Sequence, residues 1–154
     1  RGQEILIGAI YDVNRDELFW AEKGKGAFLN NKRISVSPID DIKKSMLVTG
    51  FYYNRGDEML KNLECIKRFF LKHVTGIRQF GAAALDLSYV ACGRFTGFWE
   101  FNLSPWDFAA GKIIIEEAGG IITRKGGEAV NPVESSFIVA SNGKIHSQML
   151  EVLK

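Results

Sequence analysis

The chain has 154 residues, of which 46% are hydrophobic and 25% charged, and its formal net charge is +2 at pH 7. This composition is typical of a globular protein and excludes a disordered or fibrous chain. The 20 basic and 18 acidic residues are spread along the sequence, so no basic stripe indicates a nucleic acid or an anionic membrane as partner. No apolar run approaches the roughly 20 residues of a membrane helix, and no signal-peptide pattern is present. We therefore expect a cytoplasmic protein.

Short apolar runs and polar turns alternate in the first third of the chain. The turn "NRDE" separates the first two runs, and Asn30 and Asn31 tolerate the positive φ of a tight hairpin. Residues 1–42 are therefore predicted to form an antiparallel meander, built from the runs "EILIGAIYDV", "LFWAEKGKG", "GAFLN" and "RISVSP".

From residue 43 onward, strand and helix patterns alternate, which predicts an α/β layered domain with a mixed sheet over residues 43–154. The predicted strands are "SMLVTGF", "GIRQFG", "TGFWEF", "GIITR" and "SFIVAS". The predicted helices are "DEMLKNLECIKRFFLKH", "AAALDLSYVACG", "PWDFAAGKIIIEEA" and "KIHSQMLEVLK".

Asp107 lies at the predicted start of the third helix and has two interpretations. The sequence has the S-x-x-D pattern of a capping box, with Ser104 as N-cap and Asp107 at the third helical position. Pro105 occupies the first helical position, where proline is favoured. A carboxylate at the mouth of a buried α/β helix, after a strand end, is also where such folds bind ligands. Mg²⁺ prefers such oxygen ligands, but one aspartate supplies a single ligand and no complete site.

Glu100 lies in the strand "GFWEF", which is otherwise made of glycine and large apolar residues. Strand alternation puts Phe98, Glu100 and Asn102 on one face and Trp99, Phe101 and Leu103 on the other. Two interpretations stay open for Glu100. It is either an edge carboxylate that points into solvent or a strand-end carboxylate that accepts hydrogen bonds from the hydroxyl groups of a polyol.

Gly81, Ala82 and Ala83 begin the stretch "GAAALDL" at a predicted helix N-terminus. The free backbone N–H groups of such a terminus can bind an oxygen-rich ligand without obstruction from side chains. Small residues at a helix start also allow close packing, so both interpretations remain.

The cysteines and histidines indicate no catalytic site. Cys65 and Cys92 lack CxxC spacing and a neighbouring histidine, so we expect reduced, structural thiols. His73 and His146 have no Ser or Cys partner in a recognisable nucleophile motif.

Taken together, these stretches resemble the inositol monophosphatase family of magnesium-dependent, lithium-sensitive phosphatases. The strongest match is "PWDFAAGKIIIEEAGG", which is similar to the family's signature of Trp-Asp, an apolar run and Glu-Ala-Gly-Gly. Three further stretches match in the same order, "GKGAFLNNKRISVS", "GIRQFGAAALDLSYVACGRFTGFWE" and "FIVASNGKI".

The resemblance implies a role for each candidate residue. Asp107 would be the C-terminal carboxylate ligand of the catalytic Mg²⁺ ions, and Glu100 would bind substrate hydroxyls. The backbone of Gly81, Ala82 and Ala83 would line the inositol pocket. The family commonly has Ser or Thr where this chain has Ala82, so a side-chain contact at that position is lost. The resemblance also implies a homodimer and a small phosphate monoester as substrate.

The family's DPIDGT-like motif and upstream acidic pair, which supply the other metal ligands, do not occur in the sequence. We therefore expect the chain to correspond to the C-terminal part of such an enzyme, with the meander as the remnant of its N-terminal sheet. Four hypotheses follow: an inositol monophosphatase, a fructose-1,6-bisphosphatase-type enzyme in which Arg78 and Arg94 face a second phosphate, a non-catalytic fragment, or a generic α/β binding domain in which Asp107 is only a helix cap.

Overall fold

The computed structural model describes residues 4–51, 53 and 55–154. Within that part of the chain, four helices and nine strands form two sheets that alternate with two helical layers. The predicted fold class, an antiparallel meander followed by a mixed-sheet α/β unit, is confirmed. The division of the chain at residue 42 into two domains stays a prediction.

The first sheet is an antiparallel meander in which each strand pairs with the next along the chain. Asn30 has a φ of 51° in the hairpin between the third and fourth strands, as its residue type predicts. The strands are β1 Ile7–Asp12, β2 Glu17–Glu22, β3 Gly26–Leu29 and β4 Lys32–Ile34.

The second sheet is mixed, and its strands are β5 Met46–Thr49, β6 Gly76–Arg78, β7 Gly97–Leu103, β8 Ile121–Thr123 and β9 Ser136–Ser141. They lie in the order β6-β5-β7-β9-β8. Its strands β6, β5 and β7 are parallel, and β9 runs antiparallel to both β7 and β8. A 3₁₀ turn at Ile42–Lys44 leads into it.

Four helices cover the two faces of the second sheet: α1 Asp57–Leu71, α2 Ala83–Ala91, α3 Pro105–Glu117 and α4 His146–Leu153. Helices α2 and α3 lie between the sheets, and their apolar residues share one core with Phe19 of the first sheet and Phe98 of the second. Helices α1 and α4 pack on the other face around the fully buried Trp99. In the described residues, no helix is both long and apolar enough to cross a membrane.

Helix α3 contacts its neighbours closely in its middle and at its C-terminal end. At Gly111 a Cβ atom would lie 2.7 Å from Leu87 Cδ1, so only glycine permits α2 and α3 to approach this closely. At its C-terminal end, Glu117 accepts hydrogen bonds from the backbone N–H groups of Gly24 and Gly26, at 2.7 and 2.8 Å. The β2–β3 turn is thereby fixed to the end of α3.

Candidate active site

A pocket of about 250 Å³ opens where the parallel strands β5 and β7 end and helices α2 and α3 begin. All five predicted site residues, Asp107, Glu100, Gly81, Ala82 and Ala83, line this pocket. The carboxyl ends of parallel strands are the place where open α/β sheets bind ligands. The structure therefore brings the candidates together, although Gly81 and Asp107 are far apart along the chain.

Asp107 is both a helix cap and a pocket residue. The backbone N–H of Ser104 donates a hydrogen bond of 2.9 Å to Asp107 Oδ2, in a capping box with Pro105 in the first turn. This bond uses one lone pair of one oxygen, so the carboxylate keeps acceptor capacity for a ligand. Because the cap fixes the side chain at the pocket wall, the two sequence interpretations of Asp107 are compatible.

Glu100 is buried, with 8% of its surface exposed, and it lies on β7 in the middle of the second sheet. Its interpretation as a solvated edge carboxylate is therefore wrong. Burial, and after it the negative charge of Asp107, raises the pKa of Glu100 to about 7. Hydrogen-bond donors or a cation in the pocket strongly stabilise the ionised form of a carboxyl group that is buried like this one.

The residues before α2 leave its first turn open to a ligand. Gly81 has a φ of 90°, which turns the chain between β6 and the helix. Ala82 occupies the N-cap position and forms no side-chain capping bond. The free N–H groups of the first helical turn are therefore available for an oxygen-rich group in the pocket.

The alternation predicted for β7 fails at its end, and Leu103 lies on the pocket side instead of the opposite face. The pairing between β7 and β9 shifts register between Glu100 and Leu103, and Asn102 has a φ of 55°. This bulge reorients the strand, so that Leu103 and Glu100 both line the pocket.

Asp86 is a buried acid near the site that sequence reasoning did not identify. It has no exposed surface, and neither of its carboxyl oxygens has a hydrogen-bond partner among the described residues. Burial, and after it the charge of Glu100, raises the pKa of Asp86 to about 7. The available signal was an acid flanked by leucines in an apolar helix, "ALDLSYVA".

Among the described residues, no basic or histidine side chain lines this pocket. Arg94 forms a bidentate ion pair with Glu17, with N–O distances of 2.7 and 2.5 Å. Neither Arg94 nor Arg78 lines the pocket. Their contact with a second phosphate stays a prediction. His146 is buried between Ser141 and Thr123, with 2.9 Å from each ring nitrogen to a hydroxyl oxygen.

Asp107 fits one ligand position of a magnesium site, since Mg²⁺ is commonly held by one or two carboxylates with waters and substrate phosphates. Across residues 4–51, 53 and 55–154, no three His, Cys, Asp or Glu side chains form a group able to hold a metal ion. Within this part of the chain, Asp107 thus provides one ligand of an incomplete metal site.

The fold and the pocket define a class of protein, a layered α/β protein with an acidic ligand pocket at the ends of parallel strands. The sequence matches the inositol monophosphatase family over residues 1–154. The chain belongs to the inositol monophosphatase family.

Individual relatives agree with this assignment. The chain is 46% identical over 151 residues to a Neisseria meningitidis protein named putative Nus factor SuhB, covering 98% of this chain and 56% of that protein. It is 43% identical over 157 residues to the inositol-1-monophosphatase of Caulobacter vibrioides, covering 99% and 60%. The solved inositol monophosphatase of Anabaena has a TM-score of 0.90 and 41% identity, over 96% of this chain and 59% of that one. The chain thus spans less than two thirds of these relatives.

Proposed function

We propose that the intact protein hydrolyses a phosphate monoester of a sugar or polyol, with inositol monophosphate as the preferred substrate and Mg²⁺ as the cofactor. The observation that carries this proposal is the convergence of Asp107, Glu100 and the start of α2 on one pocket. The family name and the Caulobacter relative support the choice of substrate. A homodimer without nucleic-acid or membrane partners also stays a prediction.

Each pocket residue has a distinct task in this proposal. Asp107, fixed by its bond to Ser104, holds the cation from the α3 side. When bound there, Mg²⁺ would supply Lewis-acid stabilisation of the phosphoryl charge and would lower the pKa of water in the site. Glu100 accepts hydrogen bonds from substrate hydroxyls, and the N–H groups at the start of α2 contact the polyol oxygens.

The pocket selects for hydroxylated substrates because Glu100 is buried. A hydrogen bond from a substrate hydroxyl to a charged acceptor contributes about 1.5–3 kcal/mol. A phosphate ester without hydroxyl groups leaves Glu100 unsatisfied and binds less well. Ala82 adds no hydroxyl of its own, so recognition on the α2 side is carried by the backbone.

The test is phosphate release from inositol 1-phosphate by the intact protein over a Mg²⁺ titration, with Asp107→Asn alongside. We expect metal-dependent turnover that Asp107→Asn abolishes. Asp57→Asn is the matched control, because Asp57 also lies in the first turn of a helix but outside the pocket. Full turnover by Asp107→Asn would limit Asp107 to a capping role.

A second assay uses the 154-residue chain by itself and tests whether this chain carries a complete catalytic site. We expect it to release no phosphate, because its described residues provide only part of a metal site. Turnover by the isolated chain would contradict the assignment of the missing ligands to other parts of the protein.

A further inference from the structure

Gly50 lies directly against the carboxyl group of Glu100. A Cβ atom built on Gly50 would lie no farther than 2.5 Å from all three heavy atoms of that carboxyl group. Carbon atoms in good contact are about 3.5–4.0 Å apart, so no side chain fits at this position while Glu100 keeps its place. Gly50 also lines the pocket.

The strand register explains this contact. Strands β5 and β7 run parallel, and Thr49 is paired with Trp99. Gly50 directly follows β5 and Glu100 is the next residue of β7. Residues side by side in neighbouring strands project to the same face of a sheet, and Gly50 continues this register by one residue. Any side chain at position 50 would therefore occupy the space of the Glu100 carboxyl group.

A buried hydrogen-bond network holds the backbone of Gly50 in place. Asn62 Nδ2 donates to the carbonyl oxygen of Gly50 at 2.8 Å, and Trp99 Nε1 donates to Asn62 Oδ1 at 2.6 Å. The hydroxyl of Thr49 donates to the carbonyl oxygen of Trp99 at 2.7 Å. These three side chains are 0–1% exposed, so moving Gly50 breaks bonds that water cannot replace.

We propose that Gly50 is a positioning residue that fixes the carboxyl group of Glu100 for recognition of substrate hydroxyls. This inference rests on the proposed function of the same pocket. The network of Thr49, Asn62 and Trp99 makes the wall behind Glu100 rigid, and the missing side chain of Gly50 creates the space that the carboxyl group fills. A methyl group at position 50 displaces Glu100 rather than the strand.

The test is a double-mutant cycle in the intact protein, with Gly50→Ala, Glu100→Ala and the combination of both. Two substrates are compared, inositol 1-phosphate and phenyl phosphate, which has no polyol hydroxyl groups. Gly50→Ala is expected to raise KM for inositol 1-phosphate about ten- to a hundredfold, the range for a lost charge-assisted hydrogen bond, with little change in kcat. Phenyl phosphate hydrolysis is expected to change less than threefold.

The combination of variants identifies the cause. In the Glu100→Ala background the carboxyl group is gone. Adding Gly50→Ala is therefore expected to leave both KM and Tm unchanged relative to Glu100→Ala. If Gly50→Ala alone fails to fold, refolding of the double variant supports the contact. A double variant that also fails to fold overturns it. Gly76→Ala is the control, since its methyl would meet only the flexible end of Arg78.

The outcomes separate this inference from the proposed function. The positioning role is overturned, although turnover persists, if Gly50→Ala changes KM by the same factor with and without Glu100. It is also overturned if Gly50→Ala affects both substrates equally. Absence of turnover in the unmodified protein refutes the proposed function, and with it the role of Gly50 in recognition. The coupling in Tm then still reports whether the two residues are in contact.

Discussion

Replacement of the buried acid Asp86 by asparagine is expected to stabilise the protein, and more so as the pH rises. Asp86 is fully buried, and its two carboxyl oxygens have no hydrogen-bond partner among the described residues. Asparagine has nearly the same shape and stays neutral, so the variant removes the ionisation and little else. A neutral Asp86 and an asparagine leave similar polar groups unsatisfied.

The magnitude follows from the pKa of Asp86, which burial raises from 3.8 to about 7. The folded protein keeps this proton up to about pH 7, whereas the unfolded chain loses it near pH 4. Stability is therefore highest below the lower value, falls by about 1.4 kcal/mol per pH unit between the two, and levels off above the higher one. Asp86→Asn is expected to gain about 1–2 kcal/mol at pH 5 and about 4 kcal/mol at pH 8.

The assay is urea unfolding at pH 5, 6, 7 and 8, with the free energy of unfolding compared between the variant and the parent. Asp57→Asn, in which an exposed helical acid is neutralised, controls for the change in net charge. If Asp86→Asn is equally or less stable than the parent at pH 8, the ionised carboxylate has a partner and the reasoning is refuted.

Three further variants test other parts of the structure. Gly111→Ala is expected to lose about 1–3 kcal/mol in urea unfolding, because its methyl would lie 2.7 Å from Leu87 Cδ1; an unchanged stability would mean that α2 and α3 separate freely. Asp107→Asn is expected to lose about 0.5–1 kcal/mol with its capping bond, and a loss above ~3 kcal/mol would indicate a wider structural role. Burial lowers the pKa of His146 below 6.5, so stability is full above that pH and falls as the pH decreases. In the Asp86→Asn background, the stability of His146→Gln relative to its parent should rise as the pH falls from 7 to 5, because the pH dependence of Glu100 is the same in both proteins and cancels. An unchanged difference would show that His146 makes no contribution.

Much of the fold is predictable because local patterns and tertiary packing agree. The start of α3 follows from Ser104, Pro105 and Asp107, which favour a helix N-terminus in any context, and the structure contains that capping box. The meander follows from short apolar runs separated by turn residues, including Asn30 with its positive φ. The family resemblance identified pocket residues that spacing alone left open.

The predictions that failed depend on long-range contacts. Glu100 is buried because β5 and β9 flank its strand on both sides, and the strand order cannot be read from the sequence of β7. Leu103 faces the pocket because of a bulge opposite β9, which breaks the period of two. The charge of Glu100 contributes to the raised pKa of Asp86, and its carboxyl group fills the space beside Gly50. Neither relation can be read from the sequence, because Glu100 is separated from both residues along the chain.

Helix α3 links two distant parts of the molecule. Asp107 in its first turn faces the pocket, and Glu117 in its last turn holds the N–H groups of Gly24 and Gly26 in the β2–β3 turn. A ligand that binds Asp107 only when α3 is in place stabilises the position of the helix, and therefore the order of that turn. By reciprocity, a loosened turn weakens binding at Asp107 by the same free energy. The meander, which lines none of the pocket, thus contributes to affinity through a single rigid helix.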